Sequence, residues 1–204
     1  MGFAMTFLPQ VGFGYALAQV VALAQGANVA VNVSLSCVFG CPMEGDVAQA
    51  VVFGWVQRFV DLGVRGITLC DTTGMAYPTQ VHQLTAAARA RWQGVEFTLH
   101  FHNTRGMGLA NVLAAIDAGA DRFDTSLGGL GGCPFAGQPK AAGNICTEEL
   151  VLLCEEMGIE TGVDLPALAA ALFRPDLPQT IIAVATGGNT DAEMFRRALA
   201  TLDA

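Results

Sequence analysis

The chain has 204 residues, enough for one domain with a sizeable core, and is lean in charge: 52% hydrophobic against 14% charged. A formal net charge of −8 and a pI of about 4.7 argue against binding nucleic acid or an anionic membrane surface by charge. An anionic substrate held by a metal ion or by backbone amides is still allowed.

In chain order, the first 43 residues carry no charged side chain. No basic residue precedes the apolar run, and Gln10, Gln19, Gln25, Asn28 and Asn32 interrupt it, so buried core is a better reading than a signal peptide or membrane span. Residues 1–27 offer one helix, about 15–25, in a glycine-rich and otherwise patternless start. The first predicted strand is "NVAVNVSL" (28–35). Asp46 is placed to cap a helix whose apolar positions Val47, Val51, Trp55 and Phe59 recur every fourth residue, with Gly63 at its end. "GITLC" (66–70) is a second strand, and Thr79 opens a helix running to about Gly94. "EFTLHF" (96–101) follows, then a helix from near Arg105 to Gly119 carrying Leu109, Val112, Leu113 and Ile116. "DRFDTS" (121–126) is the fourth strand. Thr147 opens another helix with Glu148 and Glu149 in its first turn, where the helix dipole favours carboxylates, and Gly158 after it. "ATGGNTDAEMFRRALATLDA" (185–204) reads as a turn and a final surface helix.

Strand starts at 28, 66, 96 and 121 follow one another by 38, 30 and 25 residues, which suits successive βα units and a parallel sheet. Two strands end alike, in "CDTTG" (70–74) and "FDTSLGG" (123–129). An Asp-Thr pair before glycine at a strand's carboxyl end is where α/β proteins place their chemistry. Four strands fall short of the eight, in about 250 residues, of a complete β/α barrel.

Six cysteines, at 37, 41, 70, 133, 146 and 154, are spread through a core-rich chain and are read as buried thiols of a reducing compartment. Cys37 and Cys41 have no second pair to complete a zinc site and are read as packing or loop structure. His100 and His102 in "TLHFHNT" (98–104) are two apart on a strand, so both rings share a face. They can each offer a neutral nitrogen to one cation, or hydrogen-bond to one another in a polar mouth. His82, alone on a helix, is a surface or packing residue. In "SLGGLGGCPFAGQPKAAGN" (126–144), glycines allow sharp turns and close approach to a ligand. Cys133 in that loop is a candidate acid, base or nucleophile, or an incidental thiol.

The motifs "SCVFGCPMEG" (36–45), "CDTTG", "LHFHNTRGMGLAN" (99–111), "GLGGCPFA" (129–136), "AGNICTEELV" (142–151) and "MGIETGVDL" (157–165) stand in the order found in 3-hydroxy-3-methylglutaryl-CoA lyases. Over roughly 27–165 the chain resembles that family, part of a metal-dependent lyase and synthase superfamily built on a TIM barrel. "GLGGCP" matches the lyase branch, whereas H-x-H-N is shared with isopropylmalate and homocitrate synthases. The resemblance implies an α/β fold of the (β/α) TIM-barrel type, with residues 28–204 as its C-terminal half of about four βα units plus C-terminal helices, and 1–27 as a poorly matching segment. It implies that His100, His102 and Asn144 bind Mg²⁺ or Mn²⁺, that Cys133 is the loop cysteine required for activity, and that Asp71 is an active-site aspartate. The implied activity is retro-Claisen cleavage of 3-hydroxy-3-methylglutaryl-CoA to acetoacetate and acetyl-CoA, in leucine breakdown in the cytoplasm.

Three features depart from the family pattern. No Arg-Asp-Gly is present, and with it are missing a ligand aspartate and an arginine that stabilises the enolate. The segment between Cys133 and Asn144 is about two residues longer, and Asn103 stands where better-known members have aspartate. The expected partners are therefore an acyl-CoA substrate and either further copies of the chain or a missing N-terminal half, with no nucleic acid and no membrane. A condensing enzyme or aldolase on another hydroxyacyl-CoA, and a non-catalytic vestigial protein, are the competing expectations.

Overall fold

Alternate residues of a strand face opposite sides of a sheet, and here the two sides differ sharply in polarity. The computed structural model describes residues 2–6, 11–131 and 143–166, of which 2–6 and 11–17 are described by backbone alone. Five strands, β1 (Gly2–Thr6), β2 (Val31–Leu35), β3 (Gly66–Cys70), β4 (Glu96–His100) and β5 (Phe123–Asp124), form one parallel sheet in sequence order. Helices α1 (Val11–Gly26), α2 (Gln49–Asp61), α3 (Pro78–Arg91) and α4 (Gly108–Asp117) connect successive strands, and α5 (Thr147–Glu156) follows β5. This is the βα repeat of a TIM-type fold, and among the described residues the sheet is an open arc rather than a closed barrel.

Val33, Leu35, Ile67, Leu69, Phe97 and Leu99 point to one side and are at most 5% exposed. They share a core with Val52, Val56 and Phe59 of α2, Val81, Leu84 and Ala88 of α3, and Val112 and Ala115 of α4. The opposite side presents Asn32, Ser34, Thr68, Cys70, Thr98, His100 and Asp124, set side by side by the register Ser34↔Thr68↔Thr98 and Cys70↔His100↔Asp124. Thr68 Oγ1 donates to Asn32 Oδ1 at 3.0 Å across that face.

Several boundaries differ from the sequence expectation. β1 is a strand where none is predicted, because a continuous apolar run carries no period-two signature. Asp46 is not a cap: α2 begins at Gln49 after Ala48, which makes no side-chain capping bond. Its packed stripe is Val52, Val56 and Phe59, while Val51 is exposed. A strict spacing of four drifts by about 40° per step on a 3.6-residue turn, so it cannot stay on one face. α3 opens at Pro78, which needs no N–H partner there, and ends at Arg91, short of Gly94. α4 begins only at Gly108, since 103–106 make a turn in which Gly106 N–H donates to Asn103 O at 2.9 Å. The Asn103 side chain accepts the Gly108 N–H at 2.9 Å and so serves that helix start. His82 joins Asp117 at 3.1 Å on the surface of α3 and α4, a packing role as expected. Neither Cys37 nor Cys41 forms a disulfide; both are buried in the loop after β2. The predicted final helix lies outside the described residues. Among the described residues no helix is long and apolar enough to cross a membrane.

Asn111 is fully buried in α4, and its Nδ2 donates to Ala76 O at 3.1 Å, tying α4 to the loop after β3. Asn111→Ala strands that carbonyl and leaves a void, and should cost about 1–3 kcal/mol in urea unfolding.

Candidate active site

The carboxyl ends of β3, β4 and β5 bring the chemistry together. His100 is the last residue of β4 and His102 lies just beyond it, with their Nε2 atoms 3.1 Å apart. Without an ion, one ring must donate a proton to the other. Burial, and then the neighbouring His100, push the His102 pKa down to about 4, so its imidazole is neutral near neutral pH. His102 Nδ1 is buried with no hydrogen-bond partner among the described residues. On the other ring, Nδ1 of His100 lies 3.5 Å from Asp124 Oδ2, its register partner on β5.

Asn144, far along the chain, is brought to His102 by backbone pairing. Asn103 N–H donates to Gly143 O at 3.0 Å and Ile145 N–H to Phe101 O at 3.2 Å, extending β4 by a short ladder. The Asn144 amide Nδ2 donates to Leu130 O at 3.2 Å. Its carbonyl oxygen makes no hydrogen bond among the described residues, which leaves it available as a donor atom.

Asp71 follows β3 and is 1% exposed. Its Oδ1 accepts N–H bonds from Met75 at 2.7 Å and Ala76 at 3.0 Å, while Oδ2 is buried without a partner. Burial raises its pKa to about 6, against the backbone bonds from Ala76 and Met75 and the charges of His100 and Arg105. Burial, followed by Asp124 and Cys37, pushes the Cys70 thiol far up, so Cys70 stays protonated between Asp71 and the histidines.

Cys133 lies outside the described residues, but the ends of its segment are visible. Asn144 N–H donates to Gly131 O at 3.1 Å, which closes the chain between 131 and 144 into a neck. Glu148 braces it, accepting the Gly128 N–H with both carboxylate oxygens (3.0 and 3.1 Å) and the Cys146 thiol at 2.9 Å. Sequence reasoning brought His100, His102, Asp71 and Asn144 forward, and the fold sets them at one end of the sheet. It missed Asp124, although "FDTSLGG" marks a strand end, and it missed Glu148 as a brace.

Gly143 is the tightest point of the neck: a Cβ there would lie 1.8 Å from Gly131 O and 2.6 Å from Gly129 O. Gly143→Ala should therefore destabilise the chain by about 1–3 kcal/mol in thermal or urea unfolding. Gly94→Ala, where a Cβ meets nothing within 4 Å, is the control and should stay near wild type.

A family model described as HMGL-like matches residues 8–172. An (R)-citramalyl-CoA lyase from Chloroflexus aurantiacus is 49% identical over 140 residues, 69% of this chain and 44% of that protein. A hydroxymethylglutaryl-CoA lyase from Bacillus subtilis is 43% identical over 148 residues, 72% of this chain and 49% of that protein. Among solved structures, an HMG-CoA lyase from Acinetobacter baumannii in complex with coenzyme A and 3-methylmalate superposes with a TM-score of 0.72. It is 45% identical, and the match covers 90% of this chain and 61% of that one. The chain spans about half the length of the curated relatives it matches.

Proposed function

The chain belongs to the HMGL-like family, and from that premise we propose a divalent-metal-dependent carbon–carbon lyase acting on a 3-hydroxy-3-methylacyl-CoA, with 3-hydroxy-3-methylglutaryl-CoA as the leading substrate. The observation that carries this reading is the pair of imidazole Nε2 atoms facing one another at 3.1 Å, with the backbone of Asn144 paired to that of His102. The two ring nitrogens are close enough together to serve one cation. Among the described residues no three His, Cys, Asp or Glu side chains converge, so the third donor in this reading is the Asn144 carbonyl. Asp124 stands 3.5 Å behind His100 Nδ1, on the side from which carboxylates orient ligand histidines.

His100, His102 and Asn144 would hold a Mg²⁺ or Mn²⁺ ion, which would supply Lewis-acid polarisation of a substrate oxygen. Asp71 takes the proton of the tertiary hydroxyl on Oδ2, directly or through water, while Met75 and Ala76 hold its other oxygen still. The bond between C2 and C3 then breaks, C3 becomes the ketone of acetoacetate, and the electron pair passes into the thioester enolate. Cys133 delivers a proton to that carbon and acetyl-CoA leaves. In this reading the chain acts in leucine breakdown, the expectation that the family resemblance carries. A second reading rests on the 49% identity to a citramalyl-CoA lyase. The reacting bonds are the same there, but the carboxylate sits directly on the carbinol carbon and the ketone product is pyruvate.

Acetyl-CoA release by the purified chain, from hydroxymethylglutaryl-CoA and citramalyl-CoA, with and without Mn²⁺, tests both readings. Metal-dependent release that falls at least 100-fold in His100→Ala is the expected result, and the better ester names the substrate. Release indifferent to chelator, or none from folded protein, contradicts the proposal and favours a non-catalytic role. Asp124→Asn should weaken Mn²⁺ binding by about 10- to 100-fold in a calorimetric titration. Cys133→Ser should keep that binding and lose the release; full activity in this variant would remove Cys133 from the mechanism.

A further inference from the structure

The described residues include six arginines and no lysine, and five of the six are engaged. Arg58 and Arg91 lie over the rings of Trp55 and Trp92, 4.4 and 4.7 Å from the centroids. Arg65 donates to the carbonyls of Val60 and Val64, and Arg89 and Arg122 pair with Asp121 and Glu96. All five belong to α2 or α3 or lie just ahead of β3 or β5, away from the catalytic end of the sheet. Arg105 differs on both counts. It stands in the turn after β4, three residues beyond His102, and among the described residues it makes no hydrogen bond, ion pair or ring contact.

That turn is held in place. Gly106 N–H bonds to Asn103 O, and the Asn103 side chain holds the Gly108 N–H. Thr104 is wedged against Gly74, where a Cβ would come within 2.7 Å of the Thr104 Cβ. Gly74 has a φ of +70°, so it supplies both the left-handed turn and the space. The loop carrying Arg105 is thereby locked onto the loop carrying Asp71, and the guanidinium charge is felt at the Asp71 carboxyl. In a chain of net charge −8, an exposed guanidinium carried on this held turn beside the site, with no hydrogen-bond or ion-pair partner among the described residues, is open to an anionic partner from outside.

We propose that Arg105 is a specificity-determining residue that receives the free carboxylate of the acyl group, so that the site selects CoA monoesters of dicarboxylic acids over those of monocarboxylic acids. The proposal rests on the lyase reading above. A guanidinium presents a planar fork matched to a carboxylate, which a lysine would not reproduce. Both hydroxymethylglutaryl-CoA and citramalyl-CoA carry such a group, so Arg105 selects the class rather than one member. The phosphates of CoA offer the same charge, and the test separates the two.

The probes are 3-methylglutaryl-CoA and 3-methylbutyryl-CoA, which lack the hydroxyl that cleavage needs and differ from one another only in the carboxylate. Calorimetric titration of the full chain should show the first binding about 10- to 100-fold more tightly, the scale of one charge-assisted hydrogen bond. Arg105→Gln should equalise the two, Arg105→Lys should keep part of the preference, and the thermal midpoint should not move. Equal binding by wild type, or a preference surviving in Arg105→Gln, overturns the proposal. So does an equal loss on both probes, which would assign the arginine to the CoA phosphates. Binding of neither probe by folded wild type would overturn the lyase reading itself, and this proposal with it.

Discussion

The site depends on the register in which β3, β4 and β5 run side by side. That register sets Cys70 opposite His100 and His100 opposite Asp124. Because side chains alternate, a slip of one residue would turn His100 toward the helices and bring Leu99 to the polar face. The register is held from the apolar side, where Ile67, Leu69, Phe97 and Leu99 are no more than 1% exposed beneath α2, α3 and α4. Full burial of such a side chain contributes about 1.5–3 kcal/mol, against about 1 kcal/mol for a polar contact on the other face. Packing on one side of the sheet therefore decides where the imidazoles stand on the other.

The second requirement is that residues remote in sequence reach that row. Backbone pairing beyond β4 does this for Asn144, and the same strand pair closes the neck at Gly131. One short ladder thus serves two ends: it pairs the backbone of Asn144 with that of His102 and fixes both anchors of the segment that carries Cys133. Glu148 adds a brace from the first turn of α5, where its charge also suits the helix dipole. The neck at Gly131 and the pairing of Asn144 with His102 are in this way parts of one ladder.

Much of this was legible in the sequence. The βα alternation, the shared face of His100 and His102, and the placement of Asp71 at a strand end all follow from periodicities of two and 3.6. Other features could not be read. β1 has no alternation to betray it, and Val51 satisfies a spacing of four without facing the core. Asp46 and Thr79 are good capping residues that the chain does not use, because Pro78 and the loop before Gln49 fix the helix starts instead. Asp124 gains its meaning only from lateral register, and Asn144 from a pairing between distant segments. In sequence, Arg105 is one basic residue among ten. Its isolation becomes visible only when the partners of the other described arginines are known.

The central claim is that both imidazoles serve one cation. Pulsed electron paramagnetic resonance of the Mn²⁺-loaded chain tests it directly, since ligand nitrogens couple to the metal electron spin. The account predicts nitrogen couplings from two imidazoles, reduced to one in either His100→Ala or His102→Ala. Bound Mn²⁺ without nitrogen coupling, or couplings unchanged in both variants, would place the ion elsewhere and contradict it.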